Sequence, residues 1–307
     1  MSESETHRAT VETGFAFAQT ILQARVMRMT RKIDMGPPNF LETNRRNWDE
    51  RVPIHVRDAT GFYETEATIA GRATLGAIEA SELGDVRGRQ LLHLQCHFGL
   101  GTLLLIRRGA QATGLDFSPK AIEAARDFAR RTGISARFVA GNVYDAPALI
   151  PERFDIVYTT WGTITWLPDV ARWAQTIAAV LAPGGLLYFA DDHPAAQMLE
   201  EIDGRLVATY PWRTPPEAPL RFEAATTYTG DPTPLTNTMT YQWIHPLSVV
   251  ISALIDAGLA IEMLHEHDRL PWKPFAMMLP AQDGYFKLPD GAPRIPLAVS
   301  LRARRQA

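Results

Sequence analysis

Residues 91–126 read LLHLQCHFGLGTLLLIRRGAQATGLDFSPKAIEAAR. This stretch predicts an apolar strand, a glycine turn, an amphipathic helix and a second apolar strand that ends on Asp116. Such an order is typical of the first βαβ unit of a doubly wound sheet that binds a nucleotide. In this unit the turn offers backbone N–H groups to the ligand, and the acid accepts hydrogen bonds from a ribose. The stretch therefore predicts a nucleotide-like cofactor, but it does not identify a second substrate.

Strands and helices continue to alternate on both sides of this unit. The predicted core elements are strand Gln90–Gln95, helix Gly99–Arg108, strand Gln111–Asp116, helix Pro119–Arg131, strand Ala136–Ala140, strand Phe154–Thr160, helix Val170–Leu181 and strand Leu186–Ala190. After a break, helix Leu247–Ala257 and strands Ala260–His265 and Ile295–Arg302 resume the pattern. This alternation predicts an α/β fold with a doubly wound, mostly parallel sheet.

Two segments lie outside the alternating pattern. Residues 194–245 are rich in Pro, Thr and aromatic residues, and they predict an inserted substrate-pocket segment with a β-hairpin over Arg221–Thr229 and Thr238–Ile244. Residues 1–45 predict an N-terminal helical arm, in which apolar residues recur at helical spacing among arginines. We expect residues 46–307 to form one domain. Because the chain is acidic overall, we expect the arm to pack on its own domain or on a second subunit of a homo-oligomer, rather than on a membrane.

Composition limits the partners and the location. The chain has 307 residues, a formal net charge of −3 and one cysteine, Cys96. An acidic chain has no electrostatic reason to bind nucleic acid, and one cysteine cannot form an intrachain disulfide or a cysteine-based zinc cluster. Glu3 and Glu5 stand where a signal peptide needs basic residues, and no apolar run approaches the roughly 20 residues of a membrane span. We therefore expect a cytoplasmic protein with neither nucleic acid nor a membrane as a partner.

Five motifs, taken in order, resemble those of the class I S-adenosylmethionine-dependent methyltransferases. They are the turn at Gly99 and Gly101, GLDFSP at 114–119, FVAGNV at 138–143, FDIV at 154–157 and LAPGG at 181–185. The resemblance implies a seven-stranded Rossmann-like sheet, whose last strand is antiparallel and lies between the fifth and sixth strands. It also implies S-adenosylmethionine as the cofactor.

The first motif departs from the family pattern at three positions. His93 stands in the place of an acid, while Gln95 and His97 replace two glycines. The departure leaves open which group neutralises the amino group of the cofactor's methionine portion. A methyltransferase holds no pyrophosphate in this loop, so the loop can vary more than in dinucleotide enzymes.

The remaining motifs assign a cofactor site residue by residue. The resemblance implies that Asp116 binds the ribose, that Asn142 bonds the adenine amino group and that Val143 packs on the ring. An upstream lid segment would bring Arg51 to the cofactor carboxylate. The predicted cofactor-binding residues are Trp48, Arg51, Tyr63, Gln95, His97, Gly99, Asp116, Phe117, Asn142, Val143, Thr160 and Trp161.

The acceptor site is predicted after the fourth and fifth strands, since ligands lie at the carboxyl ends of the strands in such sheets. His193 is the predicted general base, because imidazole titrates near neutrality, although capping of its loop is an alternative role. The predicted substrate-binding residues are Trp161, His193, Trp243 and His245. Four tryptophans indicate an apolar or aromatic acceptor, namely Trp161, Trp212, Trp243 and Trp272. No metal site is predicted.

The favoured function is methyl transfer to an oxygen or nitrogen nucleophile of a small molecule. A thiol or carboxylate acceptor is already anionic, so it would need no general base. A different class of function is a non-catalytic subunit that binds the cofactor and acts through assembly. A nicotinamide-dependent dehydrogenase would need a tighter G-x-G-x-x-G loop than residues 95–99 supply.

Overall fold

The computed structural model describes residues 39–306 of the chain. Its helices are α1 (Phe40–Arg57), α2 (Thr65–Ile69), α3 (Ala77–Glu82), α4 (Leu100–Arg107), α5 (Pro119–Thr132), α6 (Ala146–Leu149), α7 (Val170–Val180), α8 (Pro194–Gln197) and α9 (Leu247–Asp256). Its strands are β1 (Gln90–Leu94), β2 (Gln111–Asp116), β3 (Arg137–Ala140), β4 (Phe154–Thr160), β5 (Leu181–Asp192), β6 (Leu199–Ile202), β7 (Arg205–Ala208), β8 (Leu220–Glu223), β9 (Met239–Gln242), β10 (Leu259–His267), β11 (Arg269–Leu270), β12 (Leu279–Pro280), β13 (Phe286–Lys287) and β14 (Ala298–Arg305). Most of the predicted arm, residues 1–38, lies outside the described residues.

The main sheet has seven strands in the order β10-β14-β5-β4-β1-β2-β3. Strand β14 is antiparallel to both of its neighbours, whereas the other pairings are parallel. The predicted doubly wound sheet with an antiparallel last strand is therefore confirmed. Successive residues of β1 pack on opposite faces: Leu91 joins a different apolar cluster from Leu92 and Leu94. Helices thus cover the sheet on both faces, which explains why its central strands are continuously apolar.

Strand β5 begins earlier than predicted. We expected a turn over residues 182–185, but the structure pairs Leu181 with Phe154 and then Leu186 with Ile156. Residues 182–185 bulge out between these two pairs, and Gly184 has a φ of +74°. The glycine turn is present, but as an irregularity inside a longer strand.

The segment after β5 contains more strands than we predicted. The predicted hairpin is present as the antiparallel pair β8 and β9. A second hairpin, β6 and β7, precedes it, and a small sheet of β11, β12 and β13 follows β10. Strands of two to four residues carry too few alternating side chains to be recognised from the sequence.

Helix α1 connects the start of the described chain to the inserted segment. The side chain of Asn39 caps the helix by accepting a hydrogen bond from the Glu42 backbone N–H at 3.1 Å. The helix then runs through residue 45, where we placed the limit of the arm. The side chain of Asn44 bonds both backbone groups of Tyr241 in β9, each at 2.8 Å. Within residues 39–306, no helix has the length and hydropathy that a membrane crossing requires.

Candidate functional site

A cavity of about 600 Å³ lies at the carboxyl ends of β1, β2, β4 and β5. Gln95, Asp116, Thr160 and Asp192, which end or follow these strands, line the cavity. Small-molecule sites typically measure roughly 300–1,000 Å³, so the cavity is large enough for a cofactor and part of a second ligand. All twelve residues that we predicted for the cofactor site line this one cavity.

The turn after β1 keeps a glycine-like backbone at positions where the glycines are replaced. Gln95 has a φ of 54° and His97 a φ of 53°, while Gly99 has a φ of 82°. A left-handed conformation costs a residue with a side chain about 1–2 kcal/mol, so the surrounding structure must impose it. A Cβ on Gly99 would lie 2.8 Å from both the Ala125 Cβ and the Phe138 ring, so close packing requires glycine there.

The Asp116 carboxylate is held by the same turn. Its Oδ2 accepts a hydrogen bond from the His97 backbone N–H at 2.8 Å, and its Oδ1 accepts one from the Ser118 backbone N–H at 2.9 Å. Burial raises the pKa of Asp116 to about 6, with Asp49 acting in the same direction and the N–H donors opposing it. The group is therefore mainly ionised at neutral pH. A carboxylate has about four lone pairs, so acceptor capacity remains for a ligand hydroxyl.

Arg51 is a buried cation without a carboxylate partner among residues 39–306. Its side chain extends from α1 into the cavity wall and is 6% exposed. The guanidinium lies 5.2 Å from the Trp48 ring centroid and 5.5 Å from the Tyr228 ring centroid. No ion pair among the described residues includes Arg51, and its Nε has no hydrogen-bond partner there. Burial lowers its pKa, and a buried charge without an ion pair would gain from an anion in the cavity.

Gln95 provides a hydrogen-bond acceptor two residues after His93, which occupies the position of the family's acid. Its Nε2 donates to the Thr163 carbonyl at 2.8 Å, which fixes the amide. Its Oε1 is buried and has no partner among the described residues. His93, which occupies the place of the family's acid, lies 2.9 Å through Nδ1 from Thr102 Oγ1, and burial lowers its pKa to about 3. His93 is therefore neutral at pH 7, and Gln95 Oε1 is available to accept an N–H from a ligand ammonium group.

A polar network joins the turn to helix α1 and to the inserted segment. The Nδ1 of His55 lies 3.3 Å from His97 Nε2 and 3.2 Å from the Tyr63 hydroxyl, and its Nε2 lies 2.6 Å from Thr227 Oγ1. The hydroxyls of Tyr63 and Tyr228 are also in hydrogen-bond contact. Burial lowers the pKa of both histidines, that of His97 to about 3, so both rings are neutral at pH 7.

The loop after β3 supplies the remaining predicted cofactor contacts. The Asn142 side chain caps a short 3-10 helix by accepting from the Tyr144 backbone N–H at 3.0 Å. The next residue, Val143, is 4% exposed and belongs to the core cluster. Both residues line the cavity after the end of β3, and the resemblance implies that they contact the adenine.

The turn after β4 is anchored by two buried carboxylates. Asp191 accepts hydrogen bonds from the backbone N–H groups of Gly162, Thr163 and Ile164 at 2.5, 2.9 and 3.0 Å. Trp161 has a φ of 59°, and its indole N–H donates to Glu79 Oε1 at 2.7 Å. The indole is therefore held in a fixed orientation in the cavity wall.

Three residues predicted for the acceptor site do not line the cavity. His193 caps α8: its Nδ1 accepts from the Ala195 backbone N–H at 3.1 Å, and its Nε2 lies 3.0 Å from Glu266 Oε1. Trp243 is fully buried, and its indole N–H donates to the Pro216 carbonyl at 3.1 Å. The Nε2 of His245 lies 2.7 Å from the Leu167 carbonyl. Since the ring nitrogen atoms described for these three residues already have protein partners, the geometry favours structural roles for them.

Two of the four tryptophans from which we predicted an apolar or aromatic acceptor line the cavity. Trp161 and Trp272 line the cavity with ring centroids 5.9 Å apart, whereas Trp243 is core and Trp212 is 60% exposed outside the cavity. The cavity-lining residues that we did not predict include Asp192, Tyr228 and Lys273. Asp192 adjoins the predicted His193, so its place at the end of β5 was a usable signal. The other two come from the inserted segment and the β11–β12 connection, where no motif marks them.

Metal chemistry has no evident donor set in the part of the chain that the structure describes. Residues 39–306 contain no group of three or more His, Cys, Asp and Glu side chains that could hold a metal ion. The side chains that line the cavity are aliphatic, aromatic and hydrogen-bonding groups, with two carboxylates and two basic residues among them.

Comparison with known proteins identifies the domain that contains this site. Residues 92–189 match a family model described as a methyltransferase domain. The ubiquinone biosynthesis O-methyltransferase of Proteus mirabilis is 30% identical over 103 residues, which are 34% of this chain and 42% of that protein. The enzyme of the same name from Xanthomonas euvesicatoria is 29% identical over 126 residues, 40% of this chain and 52% of that protein. Residues 92–189 thus belong to a methyltransferase domain.

The matches to the methyltransferase domain are partial in length. The alignments span about half or less of the curated relatives. The family-model match runs from β1 into β5 and does not include the inserted segment. Solved structures extend the fold further. S-adenosylmethionine-dependent methyltransferases from Mesorhizobium loti and Listeria monocytogenes superpose with TM-scores of 0.51 and 0.52 at 21% and 16% identity. They cover 74% and 79% of this chain and 96% and 100% of their own chains, which supports the Rossmann-like methyltransferase fold beyond β5.

Proposed function

We propose that this protein transfers a methyl group from S-adenosylmethionine to a small molecule with an apolar or aromatic body. The observation that carries the proposal is the unpaired Arg51 guanidinium in the wall of a cavity that also contains Asp116 at the end of β2. A buried cation and a ribose-binding acid in one cavity match two fixed groups of this cofactor, its carboxylate and its ribose.

The donor set of the cavity fits the whole cofactor. Arg51 would pair with the methionine carboxylate, and Gln95 Oε1 would accept a hydrogen bond from the methionine ammonium group. Asp116 would bind the ribose hydroxyls. Asn142 and Val143 would contact the adenine at the end of β3. When bound, the cofactor supplies an electrophilic methyl group on a sulfonium centre.

The protein's contribution to methyl transfer is then alignment and exclusion of water. An in-line displacement needs the nucleophile, the methyl carbon and the sulfur in one line, which a tightly walled cavity can impose. The Trp161 ring, fixed by Glu79, presents an aromatic surface at the end of β4. Aromatic faces attract cations, so this ring would favour the sulfonium at the point of transfer.

A neutral nucleophile must lose its proton, and Asp192 is placed to accept it. Asp192 is the last residue of β5 and lines the cavity, whereas the adjacent His193 caps α8 and does not line the cavity. We therefore assign the predicted base role to Asp192 instead of His193. The curated relatives are named O-methyltransferases, and that name favours an oxygen nucleophile here.

We also propose a cytoplasmic location and a small molecule rather than nucleic acid as the acceptor. The support is the net charge of −3 and a lone cysteine, Cys96, which is buried as a free thiol. Assembly through residues 1–45 remains a proposal, and gel filtration of the chain with and without residues 1–40 tests it.

Calorimetric titration with S-adenosylhomocysteine, with NAD as the control ligand, tests the cofactor. Micromolar binding of the first and no binding of the second is the expected result, and the reverse would refute the proposal. A screen of small-molecule acceptors with labelled S-adenosylmethionine then tests for turnover. With an active acceptor, Asp192→Asn should reduce turnover at unchanged cofactor affinity, whereas His193→Gln should leave turnover near that of the native protein.

A further inference from the structure

Two basic side chains line the cavity, and the proposed cofactor accounts for only one of them. Among the described residues these are Arg51 on α1 and Lys273 on the connection between β11 and β12. Arg51 lies beside the turn after β1, where its charge acts on the pKa of His97. S-adenosylmethionine has a single carboxylate, and Arg51 would pair with it. Lys273 therefore needs a different explanation.

Lys273 belongs to the acceptor end of the cavity. The neighbouring Trp272 ring lies 5.9 Å from that of Trp161, which follows β4 where methyl transfer is proposed. Phe275 is 1% exposed and packs with Leu270 in an apolar cluster, so the connection is anchored on both sides of Lys273. The ammonium group is thus carried by a fixed segment rather than by a free loop.

The charge of Lys273 has no direct partner in the described part of the chain. None of the ion pairs between residues 39 and 306 includes it. Burial lowers its pKa, and the Glu201 carboxylate opposes that effect from beyond ion-pair distance. Glu201 itself accepts a hydrogen bond from the Met277 backbone N–H at 2.9 Å. A partly desolvated ammonium group in a ligand cavity favours an anionic ligand group.

We propose that Lys273 binds an acidic group of the methyl acceptor, so that the acceptor is an aromatic or apolar molecule that also carries a carboxylate or a comparable anion. The inference rests on the proposed function and specifies its substrate class. The rings of Trp161, Trp272 and Phe222 supply the apolar surface. The Asp192 carboxylate repels an anion in its own vicinity. The acid therefore points toward Lys273, and the neutral nucleophile points toward Asp192.

Matched pairs of aromatic acids and amides test this assignment without knowledge of the natural acceptor. The probes are 4-hydroxybenzoate, phenylacetate and indole-3-acetate, each beside its primary amide, titrated into protein saturated with S-adenosylhomocysteine. In the native protein at least one acid should bind about tenfold or more tightly than its amide, as expected for a charge-assisted hydrogen bond. Lys273→Gln should abolish that preference, and Lys273→Arg should retain most of it.

The affinity of each variant for S-adenosylhomocysteine alone separates this inference from the proposed function. If the native protein does not bind S-adenosylhomocysteine, the proposed function fails. If it binds, but no acid is preferred over its amide, or the preference survives Lys273→Gln, the role of Lys273 is refuted. Loss of S-adenosylhomocysteine affinity in Lys273→Gln would also refute it, because Lys273 would then act on the cofactor.

Discussion

Replacement of Arg51 by methionine separates ligand binding from stability. The guanidinium is 6% exposed and has no ion pair among the described residues. If it binds the methionine carboxylate of the cofactor, its removal deletes a charge-assisted interaction worth about 1.5–3 kcal/mol. The affinity for S-adenosylhomocysteine should then fall by about 10- to 150-fold. Arg51→Lys keeps the charge but loses the two-pronged geometry, so its affinity should lie between those of the native protein and Arg51→Met.

The ligand-free protein should not lose stability from the same change. Arg51→Met removes two cation–π contacts, with Trp48 and Tyr228, which contribute about 0.5–2 kcal/mol. It also removes the desolvation penalty of an unpaired buried charge, which amounts to several kcal/mol. The penalty outweighs the contacts, and methionine fills a similar volume. We therefore expect the Tm of the ligand-free variant to equal or exceed the native value.

Titrations with two ligands and a thermal melt of the ligand-free protein test these predictions for Arg51→Met. Calorimetric titration gives the affinity for S-adenosylhomocysteine and for 5′-methylthioadenosine, which lacks the carboxylate and the ammonium group. Arg51→Met should weaken the first and leave the second within about twofold. Equal losses for both ligands would refute the pairing of Arg51 with the carboxylate. A lower Tm in the ligand-free state would instead show that Arg51 stabilises the fold.

Four further predictions concern the turn and the helix cap. Burial raises the pKa of Asp116 to about 6, so protonation of this carboxylate below pH 6 should weaken the binding of S-adenosylhomocysteine. Calorimetry of Asp116→Asn should show weak binding that changes little between pH 5 and 8. Because the pKa of Asp116 is higher in the folded than in the unfolded protein, folding takes up a proton between about pH 4 and 6. The destabilisation caused by the buried Asp116 carboxylate should therefore diminish as the pH falls through this range. Asp116→Asn should remove this contribution from the pH dependence of the free energy of unfolding. Gly99→Ala should lower the Tm by far more than Gly133→Ala, since both glycines have positive φ but only the first has neighbours in the way of a Cβ. His193→Ala should cost about 1 kcal/mol in urea denaturation through loss of the α8 cap, and no stability loss would contradict the capping role.

The sheet and the cofactor half of the cavity could be predicted because local patterns determine them. Apolar runs of strand length, followed by turns and amphipathic helices, specify the order of β1 to β5. The twelve predicted cofactor residues follow the carboxyl ends of these strands or belong to the segment just before them, and all of them line the cavity. In this half of the site, a residue's place in the strand order also fixes its place in space.

The acceptor half could not be predicted in the same way. Lys273 reaches the cavity through a connection between strands of two residues each, and Tyr228 reaches it from the loop between β8 and β9. His193, Trp243 and His245 were predicted from residue type, but each faces a carbonyl, a carboxylate or a helix end. Long-range packing decides such orientations, and a single sequence carries no local signal for it.

The altered glycine motif shows which property of the first turn is required. A glycine is needed for its missing Cβ at Gly99, where Ala125 and Phe138 approach closely, and glycine is retained there. At Gln95 and His97 only the left-handed backbone is needed, and both residues keep it, with φ values of 54° and 53°. Their side chains meanwhile supply groups that glycine cannot, an unpaired acceptor at Gln95 and a link to His55 at His97. The left-handed strain of about 1–2 kcal/mol per residue is therefore imposed by the surrounding fold, and the two side chains it positions belong to the proposed cofactor site, as is typical of strained residues at functional sites.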